Sequence, residues 1–185
     1  LASSDTAKAA LELFKSEMGD IHIVAVIISH AHIDHYGGIQ GVLTQDELAD
    51  PSLSLDEQIA SGKTAIIVPD GFENAVMSEN VFVGTAMKRR SLYQYGSVIQ
   101  PGEQGRLSVG IGLAVSQGEV GYLSPTFNVT EEVFETTIDG VKVIFQLTPD
   151  TESPAEMNTY FPDKKALWLA ENCTASMHNI YTLRG

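Results

Sequence analysis

Ser29-His30-Ala31-His32-Ile33-Asp34-His35-Tyr36-Gly37-Gly38 directly follows an apolar run, Ile21 to Ile28, that only His22 interrupts. Three of the chain's five histidines and one aspartate fall within six residues. Packing alone poorly explains a buried strand that ends by projecting three imidazoles and a carboxylate. Imidazole nitrogen and carboxylate oxygen are the usual ligands of zinc and its first-row neighbours. His30 and His32 are two apart, so an extended backbone sends both to one side. Asp34 and His35 come one turn later, where the chain bends towards Gly37-Gly38. That split suits two neighbouring metals, with His30 and His32 for one and Asp34 and His35 for the other. A lone histidine in such a loop would ordinarily be exposed or merely hydrogen-bonded. The full H-x-H-x-D-H pattern after an apolar strand argues for ligation.

Composition bounds the rest. The 185 residues make one domain or part of one, long enough to bury a core, and the 43% hydrophobic content is that of a globular protein. No run approaches the ~20 apolar residues of a membrane span. No basic, then apolar, then small-residue leader is visible at the start, which is Leu1 rather than methionine. A net charge of −13 argues against nucleic acid, whose phosphates are bound by clustered Lys and Arg. It would also repel an anionic substrate unless a metal or local arginines reverse the field. Cys173 is the sole cysteine, so no internal disulfide forms and the compartment stays undetermined.

Outward from the histidines, Ser3-Ser4-Asp5-Thr6 supplies N-cap residues, and Ala7, Ala10, Leu11, Leu13 and Phe14 predict an amphipathic helix over 5–18 closed by Gly19. The strand 21–29, the ligand loop and a short helix from about Gly38 to Leu43 form a βα unit with its site at the strand's carboxyl end. Thr44 to Lys63 is acidic and reads as a surface excursion with one short helix. A second buried strand, Thr64–Val68, precedes a helical stretch from Phe72 to Gly96 broken near Gly84. The basic Lys88-Arg89-Arg90 within it reads, for Lys88 at least, as a solvated helix face. Gln100 to Gly121 is glycine-rich and predicts irregular loops. Beyond Pro125 the period becomes two: strands Val129–Ile138 and Val141–Leu147 flank Asp139-Gly140, a two-residue hairpin signal. Short apolar runs follow at Thr159–Phe161 and Ala166–Ala170. Such a mixture predicts α/β or α+β layers whose strand ends converge on one site.

Further donors are expected at later strand ends. Glu152 lies just beyond Val141–Leu147, with Asp150 and Glu156 as competing carboxylates that spacing does not separate. Glu171 directly follows Leu167-Trp168-Leu169-Ala170, and on that position we weigh it as a ligand rather than a surface acid. His178 could serve as ligand, ligand support or substrate contact, and Arg184 would suit a substrate oxyanion.

His30-x-His32-x-Asp34-His35 with Gly37-Gly38 resembles the metallo-β-lactamase superfamily signature. The alkylsulfatase branch is resembled by Pro69-Asp70-Gly71-Phe72, Ser78-Glu79-Asn80-Val81, Gly84-Thr85-Ala86-Met87-Lys88-Arg89-Arg90 and Tyr93-Gln94-Tyr95-Gly96. So it is by Phe145-Gln146 with Thr148-Pro149, Glu152-Ser153-Pro154-Ala155-Glu156-Met157, Ala170-Glu171-Asn172, and His178-Asn179 with Thr182-Leu183-Arg184-Gly185. The resemblance runs along nearly the whole chain, with residues about 44–62 resembling an insertion. It implies an αββα sandwich incomplete at both ends. The chain would be part of a catalytic domain whose earlier strands precede Leu1 and whose further histidine ligand lies beyond Gly185.

The implied activity is zinc-dependent hydrolysis of alkyl sulfates such as dodecyl sulfate. His30 and His32 would bind one zinc and Asp34 and His35 the other, with Glu152 and Glu171 completing or bridging the pair. Asp34 would serve as the catalytic carboxylate as well, and Asn179 and Arg184 would hold the sulfate. The resemblance also implies a helical dimerisation domain and a lipid-carrier-like domain outside this chain, and hence a homodimer. The competing expectations are another hydrolase of the superfamily, acting on thioesters, lactams or phosphoesters, or an inactive metal-binding fragment.

Overall fold

A computed structural model describes residues 2–109, 112–114, 116–175 and 183. The first helix, α1 (Ser4–Met18), starts where Ser3 accepts the Thr6 N–H on its hydroxyl and ends at Gly19, whose φ is +85°. Only Ala7 of its apolar stripe is buried, and Leu13 and Phe14 stay exposed. The expected amphipathic packing is thus confined to the helix's beginning. There the backbone of α1 lies so close to Gly41 that a methyl group on that glycine would collide with the Ser4 carbonyl and the Lys8 amide.

Three short strands, β1 (Ala25–Ile27), β2 (Ala65–Pro69) and β3 (Phe127–Val129), form a parallel sheet in the order β1-β2-β3. Every residue of the central β2 is buried, and its alternation splits the interior. Ile66 and Val68 join a core with Ile28, Tyr36, Ile39, Phe72 and Val76. Ala65 and Ile67 join another with Leu55, Val129, Val143, Phe145 and Met157. The second core lies against an antiparallel sheet in the order β4-β5-β6-β7: β4 (Val133–Ile138), β5 (Val141–Leu147), β6 (Met157–Phe161) and β7 (Ala166–Trp168). Helices, parallel sheet and antiparallel sheet therefore stack as layers, which is the α/β class the sequence suggested.

Several boundaries differ from the expectation. The single strand anticipated over Val129–Ile138 is two strands in two sheets, separated at Thr130-Glu131-Glu132. The ladder of β1 covers only Ala25–Ile27 of the apolar run. The helix expected at 38–43 is a helical turn, α2 (Ile33–Tyr36), followed by a 3-10 turn at Ile39–Gly41. The β4–β5 hairpin is as expected, with Asp139 and Gly140 at φ +48° and +78°, the paired positive values a tight primed turn requires.

The acidic stretch 44–63 contains α3 (Leu55–Ala60), whose Leu55 is buried and whose Gln58 amide donates to the Thr126 carbonyl at 2.9 Å. Helices α4 (Phe72–Met77) and α5 (Gly84–Gln94) are joined by a π-helical turn, Ser78–Phe82, and Lys88-Arg89-Arg90 is exposed. The described part of the glycine-rich stretch is irregular, and at its end Gly121 donates to the Gly37 carbonyl at 2.7 Å, beside the ligand loop. Among the described residues no helix is long and apolar enough to cross a membrane.

Candidate metal centre

Leaving β1, the chain crosses from one sheet to the other. Ile28 N–H still donates to Ile67 in the parallel sheet, whereas the Ser29 carbonyl accepts from Met157 N–H at 2.9 Å. His30 and Glu156 form an isolated antiparallel bridge. The histidines are thereby held at the seam between the sheets, at the carboxyl end of the parallel strands. Glu152 comes from the β5–β6 loop and Glu171 from the 3-10 turn after β7. Ala170, immediately before Glu171, adopts φ +45°, a strained value for alanine that helps set how the glutamate is presented.

Two donor groups result. In one, His30 Nε2 lies 2.9 Å from His32 Nδ1, which lies 3.4 Å from Glu152 Oε1. In the other, His35 Nε2 lies 3.0 Å from Glu171 Oε1, and His30 Nε2 lies 3.8 Å from Glu171 Oε2. His30 thus belongs to both groups, a sharing that the pairing by sequence spacing did not contain. The cause is α2, which turns the chain back so that the His35 ring tilts over the His30 ring at 3.9 Å between centroids. Asp34 stands at the edge, its side chain 41% exposed and its Oδ2 3.7 Å from His35 Nε2. Asn179, Arg184 and His178 lie outside the described residues.

Two carboxylates that spacing did not single out also face the cluster. Glu79, in the π-helical turn, puts Oε1 3.7 Å from His32 Nε2. Glu156, weighed above only as a rival of Glu152, is fully buried behind His30. Its sequence signal was its place at the start of β6, where an acid precedes a buried methionine. For Glu79 no pattern of spacing gave a signal, because Glu73, Asn74, Ser78 and Asn80 make the same helical stretch polar elsewhere.

The donor set fits a cation. Oε2 of Glu171 is buried with no hydrogen-bond partner and points at His30 Nε2, and imidazole nitrogens converge with carboxylate oxygens. Burial by itself pushes the Glu171 carboxyl up, but the hydrogen bond from His35 and the charges of His35 and His30 outweigh it and bring it down to about 2. Glu156 goes the other way: burial raises it, against the hydrogen bonds it accepts from Ser153 and Thr151.

A family model of the metallo-β-lactamase superfamily matches residues 2–49, which span the histidine motif. Over the whole chain there is 40% identity to an alkyl/aryl-sulfatase, BDS1, of Saccharomyces cerevisiae and 41% to a linear primary-alkylsulfatase of a Pseudomonas species; the chain covers 27% and 26% of these proteins. The solved structure of a stereoselective inverting sec-alkylsulfatase, Pisa1, from Pseudomonas sp. superposes with a TM-score of 0.79 at 34% identity, over 90% of this chain and 25% of that one. The chain belongs to the alkylsulfatase branch of the metallo-β-lactamase superfamily. It spans about a quarter of the length of these alkylsulfatases. Membership in this branch, together with the two donor groups, implies a metal ion at the seam.

Proposed function

We propose that this chain supplies most of a dinuclear zinc centre that hydrolyses alkyl sulfate esters such as dodecyl sulfate to alcohol and sulfate. The observation that carries the reading is the pair of donor groups sharing His30, set in a chain that aligns end to end with named alkylsulfatases. His30 and His32 would hold one ion and Asp34 and His35 the other, with Glu152 and Glu171 completing or bridging the pair, since the single Nε2 lone pair of His30 serves one ion only. Bound zinc supplies Lewis acidity towards the ester and acidifies a water to near-neutral pH.

The remaining work falls to the chain. Glu171 stays ionised and steadies His35 through their 3.0 Å contact. Asp34, the most exposed acid of the set, is placed at the solvent side to accept a proton from the attacking water. The apolar tail is assigned to Val81-Phe82-Val83, exposed at 60%, 80% and 47% and beginning two residues after Glu79, which adjoins His32. Burying such a chain against these side chains contributes ~0.8 kcal/mol per methylene. Asn179 and Arg184 are assigned to the sulfate on the family resemblance alone.

The test is sulfate release from dodecyl sulfate by the protein carrying this chain, with a lactam and a thioester as competitors. We expect His32→Ala to abolish release while the circular dichroism spectrum is kept. Undiminished release in that variant, or preferential turnover of the lactam or thioester, refutes the assignment.

A further inference from the structure

Behind the donor atoms lies a second set of polar groups that the proposed chemistry does not use. Ser29, 1% exposed, places its hydroxyl 3.1 Å from His30 Nδ1 and 3.3 Å from His35 Nδ1. Glu156, also 1% exposed, aims Oε1 at His30 Nδ1 from 3.8 Å, and that oxygen has no hydrogen-bond partner. Its other oxygen accepts from Ser153 N–H at 3.0 Å and from the Thr151 hydroxyl at 3.3 Å. Backbone bonds lock both residues in place, through the His30–Glu156 bridge and the 2.9 Å bond from Met157 N–H to Ser29.

A neutral imidazole carries one proton, and only the unprotonated nitrogen can donate a lone pair to a metal. The Nε2 atoms of both His30 and His35 face Glu171, so both rings must carry their proton on Nδ1 if Nε2 is to ligate. A buried Nδ1–H needs an acceptor. The Ser29 oxygen has two lone pairs and lies within reach of both Nδ1 atoms, so it can accept from both rings. The half-satisfied carboxylate of Glu156 adds negative charge on the same side of His30. A group behind a metal-ligating histidine commonly fixes its tautomer in this way.

The geometry points to Ser29 and Glu156 as positioning residues that hold His30 and His35 in the Nδ1-protonated tautomer, with both Nε2 atoms turned to the metal. This inference rests on the metal-centre reading above. The two are separable, because the donor atoms can bind zinc whether or not Ser29 and Glu156 contribute; without zinc, His35 Nε2 donates to Glu171 instead, so the tautomer is read on the zinc-loaded protein.

The experiment uses the protein carrying this chain, labelled with 15N-histidine. Long-range 15N–1H correlation on the zinc-loaded protein should show Nδ1 protonated in His30 and His35. Ser29→Ala and Glu156→Gln should disturb that pattern and weaken zinc binding by about 10- to 100-fold in chelator competition, whereas Ser29→Thr, which keeps the hydroxyl, should remain near wild type. Melting curves separate these effects from loss of fold. Nε2-protonated rings in the wild type, or variants that match it in both tautomer and zinc affinity, overturn the inference. A wild type that binds no zinc sinks the metal reading and this inference with it, whereas zinc affinity unchanged in Ser29→Ala and Glu156→Gln overturns the positioning role alone.

Discussion

His30 differs from its neighbours in being buried completely and in meeting five groups of the site: His32, His35, Glu171, Ser29 and Glu156. The spacing of the motif assigned His30 and His32 to one ion and His35 to another. A single helical turn beginning at Ile33 brings the His35 ring over that of His30 as well, and two-residue spacing carries no information about such a turn. Support for the loop comes from Tyr36, whose ring meets Phe72 and Tyr122 edge to face. Tyr122 donates its hydroxyl to Glu73 at 2.8 Å, and burial, followed by Glu73, pushes the phenol above the ordinary tyrosine range near 10. An acid raised in this way binds its proton more tightly when folded. Its stabilising effect is therefore complete below about pH 10 and fades as the pH climbs beyond that. Absorbance at 295 nm should show one of the six tyrosines resisting ionisation, and Tyr122→Phe should remove that resistant phase.

At the level of elements, the hairpin and the start of α1 were legible because each has local chemistry: a positive-φ Asp-Gly pair, and a serine cap. The split of Val129–Ile138 was not, because both pieces are strand-like and only their partners, β2 and β5, distinguish them. The π-helical turn was equally hidden. It inserts an extra residue per turn and swings Glu79 towards His32, whereas a regular helix would continue the register of α4. The packing of α1 on Gly41 is another contact that no local pattern announces. Gly41→Ala should force the helix away, costing on the order of 1–3 kcal/mol and lowering the melting temperature by roughly 5 °C in a thermal scan. An unchanged melting temperature would mean that α1 adds little to stability.

Taken as a whole molecule, a chain of net charge −13 attracts a divalent cation and repels an anionic ester. Zinc affinity should accordingly fall as ionic strength rises from about 0.01 M to about 0.15 M, over which the screening length contracts from ~30 Å to ~8 Å. Titration calorimetry at the two salt concentrations would measure it, and an affinity indifferent to salt would confine the attraction to the seven or so groups at the seam. The layered architecture was legible from the change of period along the sequence, although the meeting of the two sheets at His30 was not. That meeting also has a temporal side. His35 and Glu171 are separated by 136 positions in sequence, so their contact closes one of the longest loops in the chain. Such contacts tend to form late, after the local hairpins and helices. An ion gripped there would act as a latch rather than a nucleus: in stopped-flow traces, saturating zinc should slow unfolding while leaving the refolding rate nearly unaltered.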